Sequence, residues 1–118
     1  MHMNYIEDKA QIQAVAEALA SIESELKALD YWRSNPPAIE AFNSTTPFFM
    51  DTMELHEWLQ FVLIFRFNDL ISKGESLPKG LAVFPYAYEF YHDDMERHKA
   101  LLKAICRLDA CFKDKYVS

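Results

Sequence analysis

Glu89-Phe90-Tyr91-His92 has the Glu-x-x-His spacing by which di-iron bundles project two ligands from one helix face. Such a centre draws on two copies of the motif. The other internal histidines, His56 and His98, have Met53 and Met95 three residues before them, so neither supplies the second copy. With Asp93 and Glu96 close by, the segment reads as a solvated acidic helix junction, and neither a metal nor any other cofactor is expected. Cysteine chemistry is no better supported. A nucleophilic thiol needs a positioned base, and His98 stands eight residues from Cys106, more than two turns along a helix. Cys106 and Cys111 lie five apart, about 140° around a helix, which speaks against a mutual disulfide. Two reduced thiols are the expectation, as in a cytoplasmic protein.

Charge gives a subtler signal. Residues 1–95 carry 6 basic and 15 acidic side chains, whereas residues 96–118 carry 6 basic and 3 acidic ones. Lys99, Lys103 and Arg107 recur every four residues and form one stripe on a helix, a shape suited to RNA phosphates or an acidic partner. A solvated face, or one paired with Glu23 or Glu25, is the plainer reading. The net charge of −6 argues against direct nucleic-acid binding, because affinity there comes largely from phosphate neutralisation.

At 118 residues the chain reads as one domain, long enough to bury roughly two thirds of its unfolded surface without disulfides or metal. Hydrophobic residues make up 51% and there are only 2 glycines, which favours helices over hairpins. No signal peptide is read at the start. The longest apolar run, Phe61 to Phe65, falls far short of the roughly 20 residues that span a bilayer. Met1-His2 ahead of Met3 reads as an expression scar.

The elements that position these side chains follow from periodicity. Asn4 with Glu7 resembles a capping box, and Ile12, Val15, Leu19, Ile22, Leu26 and Leu29 recur at steps of three and four. This predicts a long first helix ending near Asp30, before Pro36-Pro37. Pro37 is expected to start a single turn through Phe42. Asp51 or Thr52 is the expected N-cap of a second long helix that stops at Gly74. From Trp58 to Phe67 only Gln60 and Arg66 are polar, so that helix must be wrapped by other helices or by a partner. Pro85 suits the first turn of a short helix through Tyr91. A last helix from Asp93 or Asp94 is expected to bury Leu101, Leu102, Ile105, Leu108 and Phe112. The aromatic stretch Phe84 to Tyr91 holds too many rings for one small core, so Tyr86 and Tyr88 are candidates for a binding surface. The fold class is all-α: a single-domain bundle of three long helices and one or two short ones, mostly antiparallel.

Pro47-Phe48, Asp51-Thr52, Trp58-Leu59-Gln60-Phe61-Val62, Arg66, Leu70-Ile71, Leu77-Pro78, Pro85 and Arg107-Leu108-Asp109 together resemble the YqcC-like family, in order and spacing. The match covers most of the chain, and the Asp-Thr and Trp-Leu-Gln-Phe-Val block is its specific part. The resemblance implies a small all-helical protein whose gene tends to lie beside that of tRNA pseudouridine synthase C, and hence that enzyme as a possible protein partner. A homodimer is a second possible association. The family often has proline where this chain has Phe65, so a kink there is absent or relocated.

Arg107-Leu108-Asp109 also matches the Arg-Leu-Asp core of one group of pseudouridine synthases, in which the aspartate attacks the base or its sugar. Those enzymes continue into a Thr-Ser-Gly-type turn, whereas this chain continues Ala110-Cys111-Phe112-Lys113 in helical period. Asp109 is therefore expected to be a helix-surface residue, paired with Arg107 or Lys113. No catalytic constellation is read. The function expected is that of a non-enzymatic interaction protein, the alternative being a small RNA-binding accessory module. Candidate interaction residues are Trp58, Gln60, Arg66, Tyr86, Tyr88, Lys99, Lys103 and Arg107. Trp58, Gln60 and Arg66 are expected to form one shared site, with a buried ion pair between Asp51 and Arg66.

Overall fold

The computed structural model describes the backbone of residues 2–112 and the side chains of residues 9–112. Among the described residues there are helices and turns and no strand. We label the helices α1 (His2–Ala28), α2 (residues 55–73), α3 (Phe84–Tyr91) and α4 (Met95–Ala110). The capping expected of Asn4 and Glu7 lies outside the described side chains.

Helices α1 and α4 run antiparallel. Gln11 near the start of α1 donates to the Cys111 carbonyl, and Arg97 at the start of α4 donates to Leu29 at the end of α1. Val15, Ala18, Leu19, Ile22 and Leu26 are buried along one side of this pair, and Leu101, Leu102, Ile105, Leu108 and Phe112 along the other. Apart from Ala18 these are the residues the periodicity selects, and Ile12 and Leu29 at the ends are only half-buried.

The ends of α1 and α2 are chemically alike. Tyr31 N–H donates to Leu26 O and Asp30 N–H to Lys27 O, with Asp30 at φ 65°. Glu75 N–H donates to Leu70 O and Gly74 N–H to Ile71 O, with Gly74 at φ 70°. Both are Schellman closures, which need a residue that tolerates the left-handed region. Glycine does so freely, and aspartate is among the few others that do.

Helix α2 begins later than the sequence suggests. Leu55 is its first residue and Glu54 its N-cap, in a reciprocal capping box with Glu57. Asp51 and Thr52 serve the preceding turn instead: Asp51 accepts from the Ser44 hydroxyl, and Thr52 donates to Ala41 O. The helix then changes register, from α-helical Leu55–Trp58 through π-helical Leu59–Ile64 to α-helical Phe65–Lys73. Five of the six π-helical side chains are buried, as a helix without a solvent face requires. Phe65 itself is regularly helical, so the irregularity ends just before it. Between α1 and α2, short 3-10 turns form at Ile39–Asn43 and Pro47–Phe49, and a third, His92–Asp94, joins α3 to α4.

Candidate interaction surfaces

Where α1 ends and α2, α3 and α4 meet, four rings assemble that sequence reasoning did not group. Tyr31 stacks on His56 at 4.8 Å between centroids, and Tyr91 stacks on His98 at 4.1 Å. The Tyr31 hydroxyl lies 2.8 Å from His98 Nε2, and His98 Nδ1 lies 2.9 Å from Asp94 O. With the ring N–H at Nδ1 donating to that carbonyl, Nε2 is left to accept from Tyr31. Burial, reinforced by the Arg33 charge, holds the His56 imidazole below its ordinary pKa, and burial raises the Tyr91 phenol well above its own. Both rings therefore stay neutral at physiological pH. A signal was available: His98 falls three, four and seven residues before Leu101, Leu102 and Ile105, on the apolar face of α4.

Gln60 does not join Trp58 and Arg66 in one site. Its amide clasps the backbone of Arg33, accepting from the N–H and donating to the carbonyl, each at 2.9 Å. This fixes the chain after α1 against the π-helical turn. A groove of about 530 Å³ opens beside the clasp, with Trp32, Phe61, Ile64 and Phe65 as its apolar walls. Glu23 and Asp69 line it as well, each neutralised by a lysine one turn on, Lys27 at 2.8 Å and Lys73 at 3.2 Å. Phe65 is 68% exposed, unusual for so large an apolar side chain. Arg66 is exposed, and no ion pair to Asp51 forms; that carboxylate is occupied by Ser44.

Trp58 belongs to a different cluster. The Phe48 ring stacks flat on Tyr86, 4.4 Å apart and 6° from parallel, and meets Trp58 edge-on at 4.9 Å. Phe61, three residues on, lines the groove. Phe48 and Phe49 sit at φ 57° and 52°, a left-handed conformation rarely adopted by bulky residues. Below Phe48 lies a pocket of about 140 Å³, lined also by Met50, Met53, Glu54, Leu55, Tyr86 and Phe90. Tyr86 donates to the Met50 sulfur at 3.5 Å. Tyr88 points outward, with His92 stacked beside it at 5.9 Å.

Lys99, Lys103 and Arg107 are exposed along α4, and among the described residues none of them pairs with Glu23 or Glu25. Among the described residues Asp109 forms no ion pair with Arg107, and Lys113, its other expected partner, lies outside them. Asp109 reaches back to the start of α3, Oδ1 accepting Val83 N–H at 3.0 Å and Oδ2 accepting Phe84 N–H at 2.7 Å. The Arg-Leu-Asp aspartate is thus a helix cap. His92 is exposed and bonded to Glu89 O and Asp93. Among the described residues no three His, Cys, Asp or Glu side chains come together as a metal site. Cys106 and Cys111 are free thiols. No helix is long and apolar enough to cross a membrane among the described residues.

Fold and surfaces define a small all-α domain with an interrupted central helix, an apolar groove over that interruption and an aromatic pocket at its start. The chain belongs to the YqcC family. A family model described as tRNA pseudouridine synthase C matches residues 14–111. The uncharacterized protein YqcC of Escherichia coli K12 is 43% identical over 96 residues, 81% of this chain and 88% of that one. The solution NMR structure of YqcC from E. coli superposes with a TM-score of 0.74 at 42% identity, covering 88% of this chain and 89% of that one. A tRNA pseudouridine synthase C of Pectobacterium carotovorum is 43% identical over 65 residues, which is 55% of this chain but 17% of that much longer protein.

Proposed function

We propose that this domain is a non-enzymatic interaction module that works with a tRNA pseudouridine synthase in the cytoplasm. The observation that carries the reading is the Pectobacterium match: a segment like this one lies within a chain named tRNA pseudouridine synthase C and makes up a minor part of it. Two domains joined in one polypeptide act on each other at high effective concentration. The description of the family model points the same way. The side chains that tempted a catalytic reading have other occupations, Asp109 as a cap and His98 as a buried hydrogen-bond partner. The groove walled by Trp32, Phe61 and Phe65 supplies an apolar surface of the kind that interfaces use.

Co-purification of this domain with the tRNA pseudouridine synthase C of the same cell, followed by tRNA modification rates with and without it, tests the reading. A stable complex or a changed rate is expected. The absence of both would overturn it. A second reading, an RNA-contacting accessory module, is favoured by the exposed placement of Lys99, Lys103 and Arg107 on one helix face. It requires a steep salt dependence of tRNA binding that vanishes when those charges are reversed.

A further inference from the structure

We propose that the pocket between the Pro47–Phe49 turn and α3 receives an arginine side chain presented by a protein partner. The inference rests on the reading that the domain binds protein. Apart from the aliphatic Leu55, the groups the pocket offers are electron-rich. Phe48, Tyr86 and Phe90 contribute ring surface, Met50 and Met53 contribute soft thioethers, and Glu54 contributes a carboxylate. Among the described residues no cationic side chain lines it. Phe48 and Tyr86 cover one face of each other, and the ring surface left to the pocket carries negative quadrupole density that attracts cations, guanidinium more often than ammonium because it is planar and weakly hydrated. Glu54 adds a full negative charge at the rim, on a chain whose net charge is −6. One of its oxygens accepts the N–H of Glu57 in the capping box, and a carboxylate has further lone pairs for a guanidinium.

Size selects the same occupant. A cavity of about 150 Å³ takes up one benzene ring, about six non-hydrogen atoms, so a pocket of about 140 Å³ suits a group of that size. A guanidinium group with its last methylene is five. The left-handed backbone of Phe48 and Phe49 is what presents the Phe48 ring to Tyr86 as a wall. Strain of this kind persists only where the surroundings over-determine it, and it clusters at ligand clamps.

The test uses the full chain labelled at its methionine methyl groups, with Met50 and Met53 as reporters inside the pocket. It is titrated with N-acetyl-argininamide and, in parallel, with N-acetyl-norleucinamide, which lacks the charge. A saturable shift of both methyl signals is expected with the arginine probe, at least about fivefold weaker with the norleucine probe. Glu54→Gln, which keeps an oxygen for the cap, should weaken arginine binding by a similar factor. Phe90→Ala, at a ring already 47% exposed, should do so without loss of fold. Equal response to the two probes, no saturable shift, or an unaltered Glu54→Gln variant would overturn the assignment. The synthase pull-down separates the two readings. A complex that Glu54→Gln leaves at full strength removes the pocket from the interface and overturns its role, while the interaction reading stands. A charge-dependent probe shift without any complex supports the pocket's arginine selectivity and overturns the interaction reading.

Discussion

Asp109 reaches back 25 residues to hold the Phe84 N–H at 2.7 Å, so the last helix caps the short one before it. The same carboxylate takes the N–H of Val83, whose side chain is 1% exposed. Removing it leaves two donors at the start of α3 without their charged acceptor. Asp109→Ala should cost about 2–3 kcal/mol in chemical denaturation, and Asp109→Asn about half as much. Amide exchange at Val83 and Phe84 should accelerate in both. Unchanged stability in the alanine variant would mean that the cap contributes nothing.

Tyr31→Phe isolates one hydrogen bond within the stacked rings. The ring still packs on His56, while His98 Nε2, on a residue only 5% exposed, loses its partner. A cost of about 1–3 kcal/mol is expected, because an orphaned buried acceptor forfeits its solvation as well as its bond. The midpoint of thermal unfolding measures it.

The apolar seam of α1 and the buried face of α4 were legible because three-and-four spacing states which side of a helix is covered. Val15, Leu19, Leu101 and Ile105 needed nothing more. What stayed hidden depends on partners distant in sequence. Nothing local to Asp109 says that its carboxylate will meet the amides of Val83 and Phe84, and its sequence neighbours suggested Arg107 or Lys113 instead. Gln60 was noticed as a polar residue in an apolar run, yet its partner is a backbone 27 residues earlier. Asp51 looked like the N-cap because its residue type fits, but the strained Phe48-Phe49 turn carries the chain further before α2 begins, and the cap falls to Glu54. Propensity ranks the candidates for a cap, and tertiary packing chooses among them.

The buried His56 predicts a direction of pH dependence. Its folded pKa lies below the ordinary 6.5, from burial first and the Arg33 charge second, with Glu57 and Glu54 opposing. The unfolded chain therefore binds more protons below about pH 6.5, and stability falls as pH drops through that region toward the folded pKa. His92 acts oppositely. Its pKa is raised by the Glu89 carbonyl and Asp93, so its contribution is present below 6.5 and fades as pH rises through its folded value. Denaturation midpoints between about pH 7.5 and 5.5 should decline in the wild type. His56→Phe, which keeps the stack on Tyr31, should flatten the decline, and a slope unaltered by that change would assign it to other groups.

Gln60→Leu keeps the side-chain bulk within the π-helical turn but abolishes both bonds to Arg33. Arg33 is exposed, so water can replace part of the loss, and a cost of about 1–2 kcal/mol is expected. The larger effect should be local. Hydrogen exchange at Arg33 N–H should rise well above the change in global stability permits, and Trp32 fluorescence should shift as its wall of the groove loosens. Equal protection in wild type and variant would contradict the clasp.

Phe65 separates stability from association. Its side chain is 68% exposed, so Phe65→Ser removes little packing and should change stability by no more than about 0.5 kcal/mol. A partner seated in the groove would bury that ring with Trp32 and Phe61, and aromatic anchors of this kind cost about 2 kcal/mol or more when truncated, some thirtyfold in affinity. The variant should therefore fold as the wild type does and bind the synthase far more weakly. Reversal of Lys99, Lys103 and Arg107 to glutamate is the matching control: it should leave that complex intact if the groove is the docking surface and abolish tRNA retention if RNA contact is. A complex insensitive to Phe65→Ser would move the interface off the groove, and the charge-reversal result would then show whether α4 carries it.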